Sequence, residues 1–178
     1  MHVFLTGDIQ VGKTTIIQKV LSRIKGKIGG FETYFGSDRG LLDRYLYMSE
    51  AGQPRCCDEE HAVVRFRKGE APSTNIERFD ICGTNWIKKA RQEASIIVMD
   101  ECGNLENEAH CFQREIRMAL NGETPILGVV KQNSTGWTKS IRDHERVILL
   151  SVTKENREAL PDDIIALLGR GIKGEKNA

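Results

Sequence analysis

Hydrophobic residues along this chain gather in short unbroken runs, and between them lie stretches in which apolar positions recur at helical spacing. Val3-Phe4-Leu5 is the first run, and Ile16-Ile17-x-x-Val20-Leu21-x-x-Ile24 the first amphipathic stretch. The pair repeats further on. Ser95-Ile96-Ile97-Val98-Met99 is followed by Phe112, Ile116, Ala119 and Leu120 on one helical face, and Pro125-Ile126-Leu127-Gly128-Val129-Val130 is another run. Arg146-Val147-Ile148-Leu149-Leu150-Ser151-Val152 reads as the last core strand, with Ser140 to His144 before it as helix or loop. Pro161 opens a final helix whose first turn carries Asp162 and Asp163. Unbroken apolar strands alternating with amphipathic helices predict a three-layer α/β fold, with a mostly parallel sheet covered on both faces.

Between the first and second repeats the pattern loosens. Lys25 to Gly30 predicts a helix end and a turn, and Phe31 to Phe35 a short strand. Tyr45 to Met48 and Ala62 to Phe66 read as strands, Gly69 to Ser73 as a loop, and Trp86-Ile87-x-x-Ala90 as a helix start. Residues 36–93 are therefore expected to be a β-rich insertion within one domain spanning 1–170, with 171–178 as a polar tail.

Composition narrows the setting. The 178 residues suit one domain, and 39% hydrophobic with 29% charged residues suits a folded globular chain. A net charge of +1 gives no general attraction to nucleic acid or anionic membrane. No apolar run approaches a membrane span and no signal peptide pattern opens the chain, so a cytoplasmic location is expected. Cys56, Cys57, Cys82, Cys102 and Cys111 form no Cys-x-x-Cys pair and no Cys/His zinc spacing, and are expected to be reduced thiols in core or surface positions.

The chemistry concentrates at Gly7-Asp8-Ile9-Gln10-Val11-Gly12-Lys13-Thr14-Thr15, which satisfies Gly-x-x-x-x-Gly-Lys-Thr between a strand and a helix. Such a loop wraps phosphates in backbone N–H groups, so its glycines reach dihedrals closed to other residues. The helix that follows aims free N–H groups and partial positive charge at the ligand. Lys13 is assigned to the β- and γ-phosphates and the Thr14 hydroxyl to Mg²⁺. The strand ending in Asp100-Glu101 is the Walker B pattern. Asp100 is expected to hold Mg²⁺ through its water shell, and Glu101 to orient and deprotonate water. The strand at Ile126–Val130 is expected between the phosphate-loop and Walker B strands, bringing Lys131 or Asn133 to the γ-phosphate. Asn156 and Arg157 follow the last strand, near where a nucleotide base usually lies.

In order along the chain, His2 to Gly7 with Val11 to Thr15, Gly30-Phe31-x-Thr33, Asp100 to Glu106, Ile126-Leu127-Gly128 and Val152-Thr153-Lys154-Glu155-Asn156-Arg157 together resemble the small P-loop nucleoside-triphosphatase family of the cancer-related nucleoside-triphosphatase and its thermophilic relatives. The resemblance implies a RecA-like sheet and Mg²⁺-dependent hydrolysis of nucleoside triphosphates, ATP and GTP among them, to diphosphate and phosphate with broad base tolerance. It also makes Glu106 a candidate site residue. Two departures stand out. Asp8-Ile9-Gln10 replaces the Pro-Pro-Gly of relatives, and Asn104 replaces a lysine.

Rival readings use the same loop. A nucleotide or small-molecule kinase needs an acceptor pocket, for which residues 36–93 offer the room. An NTP-binding switch needs a partner. Asp43-Arg44-Tyr45 resembles a thymidylate kinase signature, but it follows Lys13 by only 30 positions (43 − 13), too early in the chain.

Overall fold

Side-chain alternation along the buried strands decides the layers of this fold. In β1 (His2–Thr6) Val3 and Leu5 face one side and Phe4 the other. In β6 (Ile96–Cys102) Ile96 and Val98 join Val3, while Ile97 and Met99 join Phe4. One side is covered by α1 (Lys13–Leu21) and α6 (Leu160–Lys173) through Ile16, Ile17, Val20, Ile164 and Leu168. The other is covered by α3 (Thr84–Glu93), α4 (His110–Leu120) and α5 (Lys139–Arg142), with Ile87, Phe112, Ile116 and Ile141 in its core. The computed structural model describes residues 1–133 and 135–173, with side chains to residue 169.

The remaining strands are β2 (Ile28–Phe35), β3 (Arg44–Glu50), β4 (Ala62–Phe66), β5 (Ser73–Thr74), β7 (Ile126–Val130) and β8 (Val147–Ser151). Among the described residues they form one sheet in the order β5-β4-β3-β2-β6-β7-β1-β8. From β2 to β8 every pairing is parallel, and β3, β4 and β5 continue the sheet antiparallel. The strand expected between the phosphate-loop and Walker B strands is there: β7 separates β1 from β6.

Several expectations are refined. Gly29 and Gly30 do not form a turn but belong to β2. A Cβ on Gly29 would lie 2.7 Å from Ala90 Cβ, and one on Gly30 would lie 2.1 Å from the Val98 carbonyl oxygen. These glycines let α3 and β6 close onto the strand. The 36–93 segment is β-rich only in its first half, whose strands extend the main sheet. Its second half is helical from α2 (Ile76–Arg78) through a π-helical turn at Phe79–Gly83 into α3, well before Trp86. Asn75 starts this run by accepting the Arg78 N–H on its side chain. The last strand, β8, lies at the sheet edge with Leu149 exposed. Helix α6 continues to Lys173, into the expected tail, and residues 174–178 lie outside the described residues. Asp43 pairs with Arg65 of β4, and Arg44 stacks over Phe35 of β2 and Phe66 of β4, so the start of the Asp-Arg-Tyr tripeptide ties β3 to its two neighbours. No helix among the described residues is long and apolar enough to cross a membrane.

Packing at the centre is close. A Cβ on Gly128 of β7 would meet the ring of fully buried Phe4 at 2.4 Å. Gly128→Ala is expected to destabilise the protein by about 1–3 kcal/mol, the usual cost of overfilling a packed core. Chemical unfolding of the variant beside wild type checks this.

Candidate nucleotide site

The carboxyl ends of β1 and β6 place the two Walker segments against each other. The loop between β1 and α1 turns through positive φ at Gly7 (136°), Gln10 (64°) and Gly12 (112°). At Gly7 only glycine fits, because a Cβ there would lie 2.6 Å from the Val152 carbonyl oxygen. Gly12 caps α1 from a left-handed conformation with no side-chain cap, and no acid stands in the first turn. Nothing from the protein's own side chains therefore competes at that helix end for an anion. Lys13 Nζ donates to the carbonyl oxygens of Gly7 and Asp8 at 2.8 and 2.7 Å. Asp8, Ile9 and Gln10 are exposed at the tip, while Val11 packs into the core below. Thr15 follows Thr14 on α1 and is exposed.

Thr14 Oγ1 donates to Asp100 Oδ2 at 2.9 Å. Asp100 is 3% exposed. Burial above all pushes its carboxyl up to about 7, with Glu101 and Glu32 adding repulsion while the Thr14 hydrogen bond and Arg55 oppose the rise. A buried carboxylate touching a hydroxyl is a pair of hard oxygen donors short of positive charge, and those two atoms fit Mg²⁺.

Glu101 is only half-buried and faces different neighbours. Burial raises its pKa above the usual glutamate value, and Lys13 and Lys131 pull it back. The β6–β7 ladder shifts register between Met99 and Cys102, so the pair sits on an irregular stretch rather than a simple alternation. Thr33 of β2 pins that stretch: its Oγ1 accepts the Glu101 N–H and donates to the Asp100 carbonyl, each at 3.1 Å.

The other candidates divide. Glu106, 2% exposed, accepts the Gly103 N–H on Oε2 at 2.9 Å and is raised by burial to about 7. It braces the turn behind Glu101 rather than lining the open crevice. Gln113 and Trp137 brace the same turn by donating to the carbonyls of Glu106 and Gly103. Lys131 lies beside Gly103, and its charge reaches both Glu101 and Glu106. Asn133 is exposed beyond the end of β7. Asn156 holds the turn after β8: its Oδ1 accepts the Thr153 N–H at 2.8 Å and its Nδ2 donates to the Ser151 carbonyl at 2.9 Å. Arg157, carried on that turn, reaches the phosphate loop, with its Cδ 3.8 Å from where a Gly12 Cβ would stand.

Sequence reasoning gave no role to Thr33, Glu32 or Arg55. Glu32 stands opposite Asp100 in the β2–β6 register. Arg55 pairs with it at 3.0 Å and lies over the Tyr34 ring, bringing a cation from the insertion toward the Walker B end. Only the resemblance had touched Thr33; pairing across the sheet, which joins these residues, leaves no local signature.

A family model described as NTPase matches residues 2–165. The nucleoside-triphosphatase THEP1 of Methanocaldococcus jannaschii is 28% identical over 180 residues, covering 97% of this chain and 100% of that protein. THEP1 of Thermotoga sp. strain RQ2 is 26% identical over 176 residues, covering 99% of each. The crystal structure of THEP1 from Aquifex aeolicus superposes with a TM-score of 0.77 at 21% identity, covering 94% of this chain and 99% of that one. The solution structure of a human cancer-related nucleoside triphosphatase gives 0.65 at 23% identity, covering 94% and 96%.

Proposed function

Because the chain belongs to the NTPase family, we propose that it is a nucleoside-triphosphatase that hydrolyses nucleoside 5′-triphosphates of several bases to diphosphate and phosphate, with Mg²⁺ as cofactor. The observation that carries this reading is the 2.9 Å contact between Thr14 Oγ1 and Asp100 Oδ2, made beside a loop whose helix end is uncapped. Thr14 and Asp100 would hold Mg²⁺, which would supply positive charge to the bound triphosphate.

The chain's own residues do the rest. Backbone N–H groups from Asp8 to Thr15 cradle the phosphates, and Lys13 exchanges the Gly7 and Asp8 carbonyls for phosphate oxygens. Glu101 accepts a proton from water as that water attacks the γ-phosphorus; the bond from the γ-phosphorus to the β–γ bridging oxygen breaks, the nucleoside diphosphate leaves with that oxygen, and the proton resides on the Glu101 carboxylate. Its raised pKa suits this role, since a base works best when its pKa approaches the working pH. Thr33 and Glu106 act through Glu101 as positioning residues, one on its N–H and the other on the turn that follows. Lys131 and Arg157 offer charge to the γ-phosphate and the outer loop. Broad base tolerance fits the exposed turn at Thr153 to Arg157, where Asn156 is engaged with the backbone rather than free to read a base.

Phosphate release from ATP, GTP, CTP and UTP, with and without Mg²⁺, tests the proposal. Release from several nucleotides, lost when the metal is chelated, is expected. Tight binding with negligible phosphate release, and transfer of the γ-phosphoryl group to an added acceptor faster than to water, would instead establish a kinase.

A further inference from the structure

We propose that Cys56, Asp58 and His61, on the loop between β3 and β4, form a binding site for one zinc-class divalent cation. One ligand atom from each of these side chains lies within 4.8 Å of the other two. A tight turn gathers them. The His61 N–H donates to the Asp58 carbonyl at 3.2 Å and to Asp58 Oδ1 at 3.1 Å, and the His61 ring Nδ1 stands 2.6 Å from that same carboxylate oxygen.

Both ends of the turn are fixed to the sheet. The Tyr34 hydroxyl of β2 accepts the Cys56 N–H and donates to the Cys56 carbonyl, each at 2.8 Å. The Met48 N–H of β3 donates to the His61 carbonyl at 2.8 Å. The main chain behind the two strongest ligands is therefore held before an ion arrives, which lowers the ordering cost of binding.

Donor chemistry selects the ion. A thiolate, an imidazole and a carboxylate make a mixed set that suits Zn²⁺, whereas Mg²⁺ and Ca²⁺ take oxygen ligands. Bonds of about 2.0–2.3 Å to a tetrahedral zinc put its donors roughly 3.5 Å apart. Side-chain adjustment of about an ångström therefore closes the 4.8 Å group around an ion. Cys57 points elsewhere, its sulfur packing toward Gly36, so the fourth position faces solvent. The His61 and Asp58 side chains are 29% and 56% exposed, which leaves an entry path. The site is separate from the Thr14–Asp100 oxygen pair and does not depend on nucleotide hydrolysis. Its position is consequential all the same, because Cys56 adjoins Arg55, the partner of Glu32 beside the Walker B strand.

Titration of the full chain with Co²⁺ tests the site, since cobalt reports thiolate ligation by a near-ultraviolet charge-transfer band and tetrahedral geometry by visible bands. Wild type is expected to bind about one equivalent with both signals, and Zn²⁺ to displace it. Cys56→Ser should abolish the charge-transfer band, and His61→Ala should weaken cobalt binding at least tenfold. Cys57→Ser should leave both signals intact. Thermal unfolding of the metal-free variants near the wild-type temperature shows that a ligand, not the fold, was removed. A wild type without the band, a band that survives Cys56→Ser, or one lost in Cys57→Ser alone overturns the proposal.

Discussion

Glu101→Gln is expected to bind nucleoside triphosphates as wild type does and to hydrolyse them at least tenfold more slowly. The substitution keeps the shape of the side chain and removes its capacity to accept a proton. The main-chain hydrogen bond from Glu101 to Thr33 is untouched, so the irregular end of β6 keeps its place. Lys13, Thr14 and Asp100, which hold the phosphates and the metal in the proposed mechanism, are unchanged. General bases contribute about 10²–10⁴ in rate, and a tenfold loss is the least this assignment allows. Single-turnover hydrolysis together with equilibrium nucleotide binding separates the two effects. Full activity in the variant would remove Glu101 as the base, and a parallel loss of binding would recast it as a structural support.

Asp100→Asn should abolish Mg²⁺-dependent turnover yet make the nucleotide-free protein more stable at pH 8. Asp100 is buried, and its carboxyl is raised from 3.8 to about 7. Between those values the folded state binds a proton that the unfolded chain has released, so stability contributed by the protonated form is lost as pH rises through the window. Above about pH 7 the folded protein holds a buried, ionised carboxylate whose neighbouring cation, Arg55, is already paired with Glu32, at a cost on the order of a few kcal/mol. Asparagine retains an acceptor for the Thr14 hydroxyl and carries no charge. The melting temperature of the metal-free variant should therefore exceed wild type at pH 8, with the difference shrinking toward pH 4. Glu106, also raised to about 7, leaves a residual pH dependence in the variant. A variant less stable than wild type at pH 8 would show that Asp100 already has its compensating charge within the protein.

What could be read from the chain was what depends on neighbours in sequence. The phosphate loop, its flanking strand and helix, and the apolar run ending in Asp100-Glu101 are local patterns, and each stands where the pattern put it. The middle of the chain was harder for physical reasons. Strands β3 to β5 continue the sheet antiparallel, with exposed or half-buried positions at their ends, and the ladder between β3 and β4 shifts register between Leu46 and Tyr47. Gly29-Gly30 looks like a turn because glycine usually serves turns. Here it serves the approach of Ala90 and of the Val98 carbonyl, residues more than sixty positions away in the sequence. Glu106 is assigned to ligand binding by resemblance, and Asn156 by its place after the last strand. Their hydrogen bonds to Gly103, Thr153 and Ser151 show that each first holds a turn, which only the folded backbone reveals.

The grip of Lys13 on the carbonyls of Gly7 and Asp8 gives its ammonium group a resting berth inside its own loop. An incoming anion must outcompete that berth, so weakly charged or singly phosphorylated molecules face an internal rival that a triphosphate overcomes. In the proposed mechanism the same rival would assist departure, because the ammonium can return to the carbonyls as the diphosphate leaves. On the proposed mechanism the loop would thereby act as a threshold on charge.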